Sequence, residues 1–242
     1  MNNLFGFGCS YTAGWDLELA STYVDYKEWR GGSLPKVWLE LLSEKLNLNP
    51  INYGKGGAGN DFIFHTFIDH MDEIKKGDTV IIGWSYMSRY RWAQPLVSNF
   101  MGVRGNWLGK NWLFNGVGDM SEKIINKITH EEICVNRTHP LYLKDIDNYM
   151  DIIYKLSKLV GFDVFFWSSE DNIIYNKPLN EKSDKKYLMG KKEHNPLSVV
   201  LYSGGQRIVD ETNNKIYDFH MADLGHQVQC DLFYNHIMSK II

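Results

Sequence analysis

The sequence predicts an α/β protein of three layers, α/β/α, built on a mostly parallel, flavodoxin-like sheet of five strands. Three observations predict it. Short runs rich in β-branched and aromatic residues, "NLFGFG" (3–8), "INYG" (51–54), "TVIIGW" (79–84) and "DVFFWS" (163–168), alternate with longer stretches of helical periodicity. These runs are apolar on both faces, as parallel strands covered by helices on either side must be. With 242 residues, 44% of them hydrophobic, the chain can bury roughly three quarters of its unfolded surface as one domain. Right-handed crossovers then make the sheet doubly wound.

The elements follow in order. Pro35 opens a helix that carries Val37, Trp38, Leu41, Leu42 and Leu46 as a buried stripe. Asn60 or Asp61 caps the next, which runs through Ile63, Phe64, Phe67, Ile68 and Met71. Further helices are expected at about 121–133 and at 145–159, the latter ended by Gly161. A last helix at about 222–240 carries Leu224, Val228, Leu232, Phe233, Ile237 and Ile241. Residues 91–118 are too glycine-rich for a firm helix and too aromatic for a solvated linker, so they read as an insertion over the top of the sheet. The charged stretch 180–195 reads as a surface loop. No repeat or linker divides the chain, and 1–242 is taken as one domain.

Charge and composition exclude several functions. Lys and Arg number 26 and Asp and Glu 29, for a net charge of -3, so no field of one sign gathers nucleic acid or anionic lipid. Cys9, Cys134 and Cys230 are odd in number and lack CxxC spacing, which disfavours a disulfide framework and a thiolate metal site. His65 and His70 stand five apart, poor spacing for one ion, so no metal is expected. Nor is a cofactor: "GKGGAGN" lacks the Gly-Lys-Ser/Thr of a phosphate loop, and its glycines miss the dinucleotide spacing. No signal peptide or membrane-spanning run is visible, so a cytoplasmic or virion-associated protein is expected.

In parallel sheets ligands bind outside the carboxyl ends of the strands. Three unusual peptides fall there: "GCSYTAG" after the first strand, "NYGKGGAGND" after the second and "GWSYMSR" after the third. A fourth, "YDFHMADLGHQ" (217–227), precedes the last helix. A serine, glycine-rich backbone donors and an Asp/His pair are what acyl transfer requires. Ser10 alone reads more readily as a helix cap or turn residue than as a nucleophile, and Cys9 as buried filler.

These blocks resemble the SGNH hydrolases, or GDSL esterases, in the manner of divergent bacteriophage members. Ser10 takes the nucleophile's place in "GCS". Asn52, Gly54 and Gly57 match the second block, N-x-G-x-x-G, and Gly83, Trp84 and Ser85 stand at the third. The last block admits two alignments. One pairs Asp223 with His226. The other pairs Asp218 with His220, reproduces the later Gly225-His226 and explains more residues. The resemblance implies a Ser10, His220, Asp218 triad, with an oxyanion hole from the N–H groups of Ser10 and Gly57 and from Ser85. Cys9 replaces the family's aspartate, and Ser85 its asparagine.

The implied activity is a serine esterase that removes a small acyl group, such as acetyl from a carbohydrate. Trp84, Trp92, Trp107 and Trp112 suit sugar or acyl stacking, and equally a small core of the insertion itself or an oligomer contact. A carbohydrate-binding or structural module of weak catalytic power is the contrasting reading. The expected partners are then a carbohydrate or other small ester and, through an oligomer contact, further copies of the chain, with neither nucleic acid nor membrane.

Overall fold

The structure, a computed structural model, describes residues 1–14, 36–85, 89–93, 103–107, 110–116, 139–169, 186–187, 206–211, 214–221 and 223–241. For 89–93, 103–107, 110–116, 139–143, 186–187, 206–211, 214–220, 223 and 240–241 it describes the course of the backbone. In chain order the elements are β1 (Asn3–Phe7), α1 (Ser10–Ala13), α2 (Trp38–Leu46), β2 (Asn49–Asn52), α3 (Asn60–Asp69), β3 (Thr79–Trp84), β4 (Arg89–Ala93), β5 (Val103–Trp107) and β6 (Lys110–Gly116). Then come α4 (His139–Val160), β7 (Asp163–Ser168), β8 (Lys186–Tyr187), β9 (Gln206–Glu211), β10 (Asn214–Met221) and α5 (Asp223–Ile241).

The main sheet has five strands in the order β2-β1-β3-β7-β8, every pair parallel. That is the flavodoxin order, and the strand direction of growth reverses at β1. Its fifth strand, Lys186–Tyr187, lies inside the stretch expected to be a surface loop, where it pairs with Phe165 and Phe166. Two residues are too few to carry a hydrophobic period, so the charge pattern hid it.

Strand pleating divides the core. Gly6 faces Leu39 of α2 and Gly83 faces Trp167, whose ring meets Trp38 at 6.2 Å, while Phe233 of α5 meets Trp38 at 5.0 Å. On the other face Phe7 packs edge-on against Phe67 of α3, and Trp84 stacks near Phe166 and Tyr149 of α4. Both faces of β1, β3 and β7 are therefore closed to water.

Several expectations are corrected. Pro35 lies outside the described residues; α2 begins at Trp38, after Val37, whose N–H is taken by Glu40 Oε2 at 2.8 Å. Leu39, absent from the expected stripe, is fully buried. Gly59 is the N-cap of α3, so Asn60 is its first helical residue. Helix α4 starts at His139, earlier than expected, and ends as foreseen at Gly161, which has φ 89 and donates to the Ser157 carbonyl. Leu224 stands 52% exposed on α5. The expected helix at 121–133 lies outside the described residues.

Within the expected insertion, β4, β6 and β5 form an antiparallel sheet in that order, with β4 beside α3. Aromatic residues carry β-propensity that the interspersed glycines obscured. Trp84 is sealed in the core and unavailable for stacking on a sugar; the side chains of Trp92, Trp107 and Trp112 lie outside those described. Among the described residues no helix is long and apolar enough to cross a membrane.

Candidate active site

Ser10 sits where the chain leaves β1. Gly8 and Cys9 make the turn, and Cys9, with extended backbone, is the N-cap of α1, its carbonyl accepting from Thr12 and Ala13 N–H at 2.9 Å each. A Cβ on Gly8 would fall 2.1 Å from Thr12 Oγ1, so only glycine permits so tight a bend. Ser10 is the first residue of the helix, not its cap. Ser10 is 3% exposed, and its buried hydroxyl meets no hydrogen-bond partner among the described residues. Leaving such a group unpaired costs about 1–3 kcal/mol, and a native orphan of this kind calls for a reason.

The loop after β2 is fastened to this turn. Tyr53 N–H donates to Gly6 O at 2.8 Å and Lys55 N–H to Gly8 O at 2.9 Å, extending the ladder past the end of β1. Asn52 acts as a bracket: Nδ2 donates to Thr12 O at 2.8 Å, while Oδ1 accepts from Gly54 N–H at 2.9 Å. A Cβ on Gly54 would stand 2.3 Å from Ala13 N. Ala58 N–H then closes a turn onto Lys55 O at 3.1 Å, with Gly57 at φ 74, where a type II turn requires positive φ. Among the described residues nothing accepts the Gly57 N–H.

At the end of β3, Ser85 is wholly buried and its N–H is committed to Asn60 Oδ1 at 2.7 Å. Asn60 Nδ2 returns a bond to Ser85 O at 3.1 Å. The side-chain amide thus pairs with Ser85 as another strand's peptide would, fixing the start of α3 to the end of β3. Sequence reasoning missed this use of Asn60 by assigning it a capping role. Its position directly after the glycine-rich block was the available signal. Cys9 lies against β7's end, with Sγ 4.0 Å from Ser169 Oγ. The strand ends before Cys9, so the pleat does not decide which way it points.

The acid/base candidates come from the other end of the chain. Asp218 and His220 lie on a strand, β10, ahead of the last helix. Asp218 is registered against Arg207, the pairing is irregular between Asp218 and Met221, and β10 packs beside α1. Their side chains, and that of Asp223 at the start of α5, lie outside those described. His226 is 3% exposed, and its Nδ1 accepts the Trp38 N–H at 3.3 Å. Trp38 in turn donates its indole N–H to Tyr11 O at 2.8 Å, next to Ser10. Periodicity revealed Trp38 as core but gave no sign of these two bonds. Among the described residues no group of three His, Cys, Asp or Glu gathers as a metal site.

No protein-family model matches the chain, and no curated protein sequence does. Among solved structures it is similar to a protein described as lipolytic, of the G-D-S-L family, from Desulfitobacterium hafniense DCB-2. That match has 10% identity and a TM-score of 0.46, and covers 98% of this chain and 99% of the other. It is also similar to the YxiM protein of Bacillus subtilis, with 12% identity and a TM-score of 0.47, over 100% of this chain and 57% of that one.

Proposed function

We propose that this chain is a serine esterase of SGNH type that cleaves a small acyl group from an alcohol, with a carbohydrate acetyl ester as the substrate class. The observation that carries the reading is the Ser10 hydroxyl on the turn after β1, buried and without a partner among the described residues. That turn lies at the carboxyl edge of the sheet where strand order reverses, the place where such folds bind ligands. The Gly57 turn, tied to it through Asn52, supplies a backbone N–H that has no acceptor among the described residues.

In the proposed mechanism His220 takes the Ser10 proton as Oγ attacks the ester carbonyl, and Asp218 orients the ring and stabilises the imidazolium. The negative charge that develops on the carbonyl oxygen is held by the N–H groups of Ser10 and Gly57. Ser85 has given its backbone N–H to Asn60, so in this reading any share it takes in the oxyanion hole falls to its hydroxyl. Collapse expels the alcohol, which leaves with the proton from His220. Water then repeats the sequence and frees the acid. The location of β10 beside α1 supports this assignment of the base.

A second reading, a carbohydrate-binding module of weak catalytic power, is favoured by one observation: Cys9 stands where the resemblance calls for a carboxylate. Intact-mass labelling with a fluorophosphonate separates the two. The esterase reading expects one adduct, mapped to Ser10, abolished by Ser10→Ala and slowed about 100-fold or more by His220→Ala, as loss of a general base requires. No adduct on folded wild-type protein would leave the binding module.

A further inference from the structure

We infer that His226 is a positioning residue, a buried imidazole that holds the Ser10 turn through Trp38 with its proton fixed on Nε2. The inference deepens the esterase reading and rests on it for its effect on Ser10, although the state of the ring does not depend on it.

A histidine that serves as base in a triad donates Nδ1–H to a carboxylate and presents the Nε2 lone pair to the serine. His226 is arranged the other way. Its Nδ1 lone pair receives the Trp38 N–H at 3.3 Å, so in the neutral ring the proton resides on Nε2. To serve as base, the ring would have to surrender that bond at a site only 3% exposed.

The bond has a structural purpose. Trp38 is the first residue of α2, and the N–H groups of a helix's first turn lack partners within it. Glu40 satisfies the Val37 N–H, and His226, arriving from α5, satisfies that of Trp38. The Trp38 ring meets Trp167 and Phe233 edge-on, at 86° and 88°, which leaves the indole N–H on Tyr11 O at 2.8 Å. The series α5, α2, α1 is therefore continuous from His226 to the residue beside Ser10. The helix it steadies has four residues, too few to hold its shape unaided.

The test uses the full chain with ring nitrogens labelled by ¹⁵N. Long-range nitrogen–proton correlation should show His226 with a pyrrole-type Nε2 and a pyridine-type Nδ1. His226→Asn, whose Oδ1 can accept in place of Nδ1, should keep the parent rate of fluorophosphonate labelling at Ser10 and its pH profile. His226→Leu, which offers no acceptor, should slow labelling about tenfold or more through misplacement of α1. A pyrrole-type Nδ1 would overturn the inference. So would a folded His226→Asn protein that labels as poorly as His220→Ala. Absence of labelling in the wild type would end the esterase reading, and the nitrogen assignment would still decide the role of the ring. A His226→Leu chain that fails to fold leaves the asparagine variant and the spectrum as the deciding measurements.

Discussion

The phenol of Tyr53 donates to Glu73 Oε2 at 2.6 Å, and its ring stacks 3.8 Å from that of His70, which shares the same carboxylate. Burial first, and then the bond to Glu73, pushes the phenol up to about 12. The folded chain thus holds this proton more tightly than the unfolded chain does. The resulting stability is whole below about pH 10 and is lost as the pH climbs through about 12. Tyr53→Phe removes that titration, so its melting temperature should fall less steeply than the parent's over this window, as scanning calorimetry would measure. Glu73 moves in the opposite sense: the Tyr53 phenol, and then His70, hold its carboxyl below the usual range, so its contribution is lost toward acid. Because Tyr53 lies between Asn52 and Gly54, this cluster borders the loop that braces Ser10.

At the scale of elements, α1 and the loop after β2 are shaped to one another. Gly54→Ala would drive a methyl group into the Ala13 nitrogen, 2.3 Å away. Overpacking of this kind costs about 1–3 kcal/mol. The variant should show a lower urea midpoint together with slower labelling of Ser10. How much of this was legible in the sequence differs by element. Strands β1, β3 and β7 were plain because burial on both faces leaves unbroken apolar runs. Strand β8 was not, being two residues in a charged stretch. The antiparallel strands at 89–116 were read only as an insertion, since their pairing joins segments whose glycines break any local period. At the candidate site, the motifs single out Ser10, Asn52 and Gly57. The work of Asn60, Trp38 and His226 is tertiary: each bonds to a residue 25 or more positions away or receives such a bond, and no spacing rule encodes that.

Across the whole molecule, glycines in the central strands let large rings and helices close on the sheet. Gly83 is the clearest case, since a Cβ there would meet the Trp167 indole at 2.6 Å. Trp167 also supports Trp38, so Gly83→Ala should destabilise the fold by about 1–3 kcal/mol and disturb indole packing on the α2 and α5 face, as near-ultraviolet circular dichroism would report. The pairing of Asn60 with Ser85 has a consequence in time. The Ser85 amide lies beyond the last residue of β3, where exchange with solvent deuterium is ordinarily quick. Here its proton is buried under a side chain that belongs to α3. Release therefore requires the start of α3 to lift away, and the proton should persist for as long as those of the central strands. In Asn60→Ala it should be lost far sooner, so that a single resonance would time how often the floor of the candidate site opens.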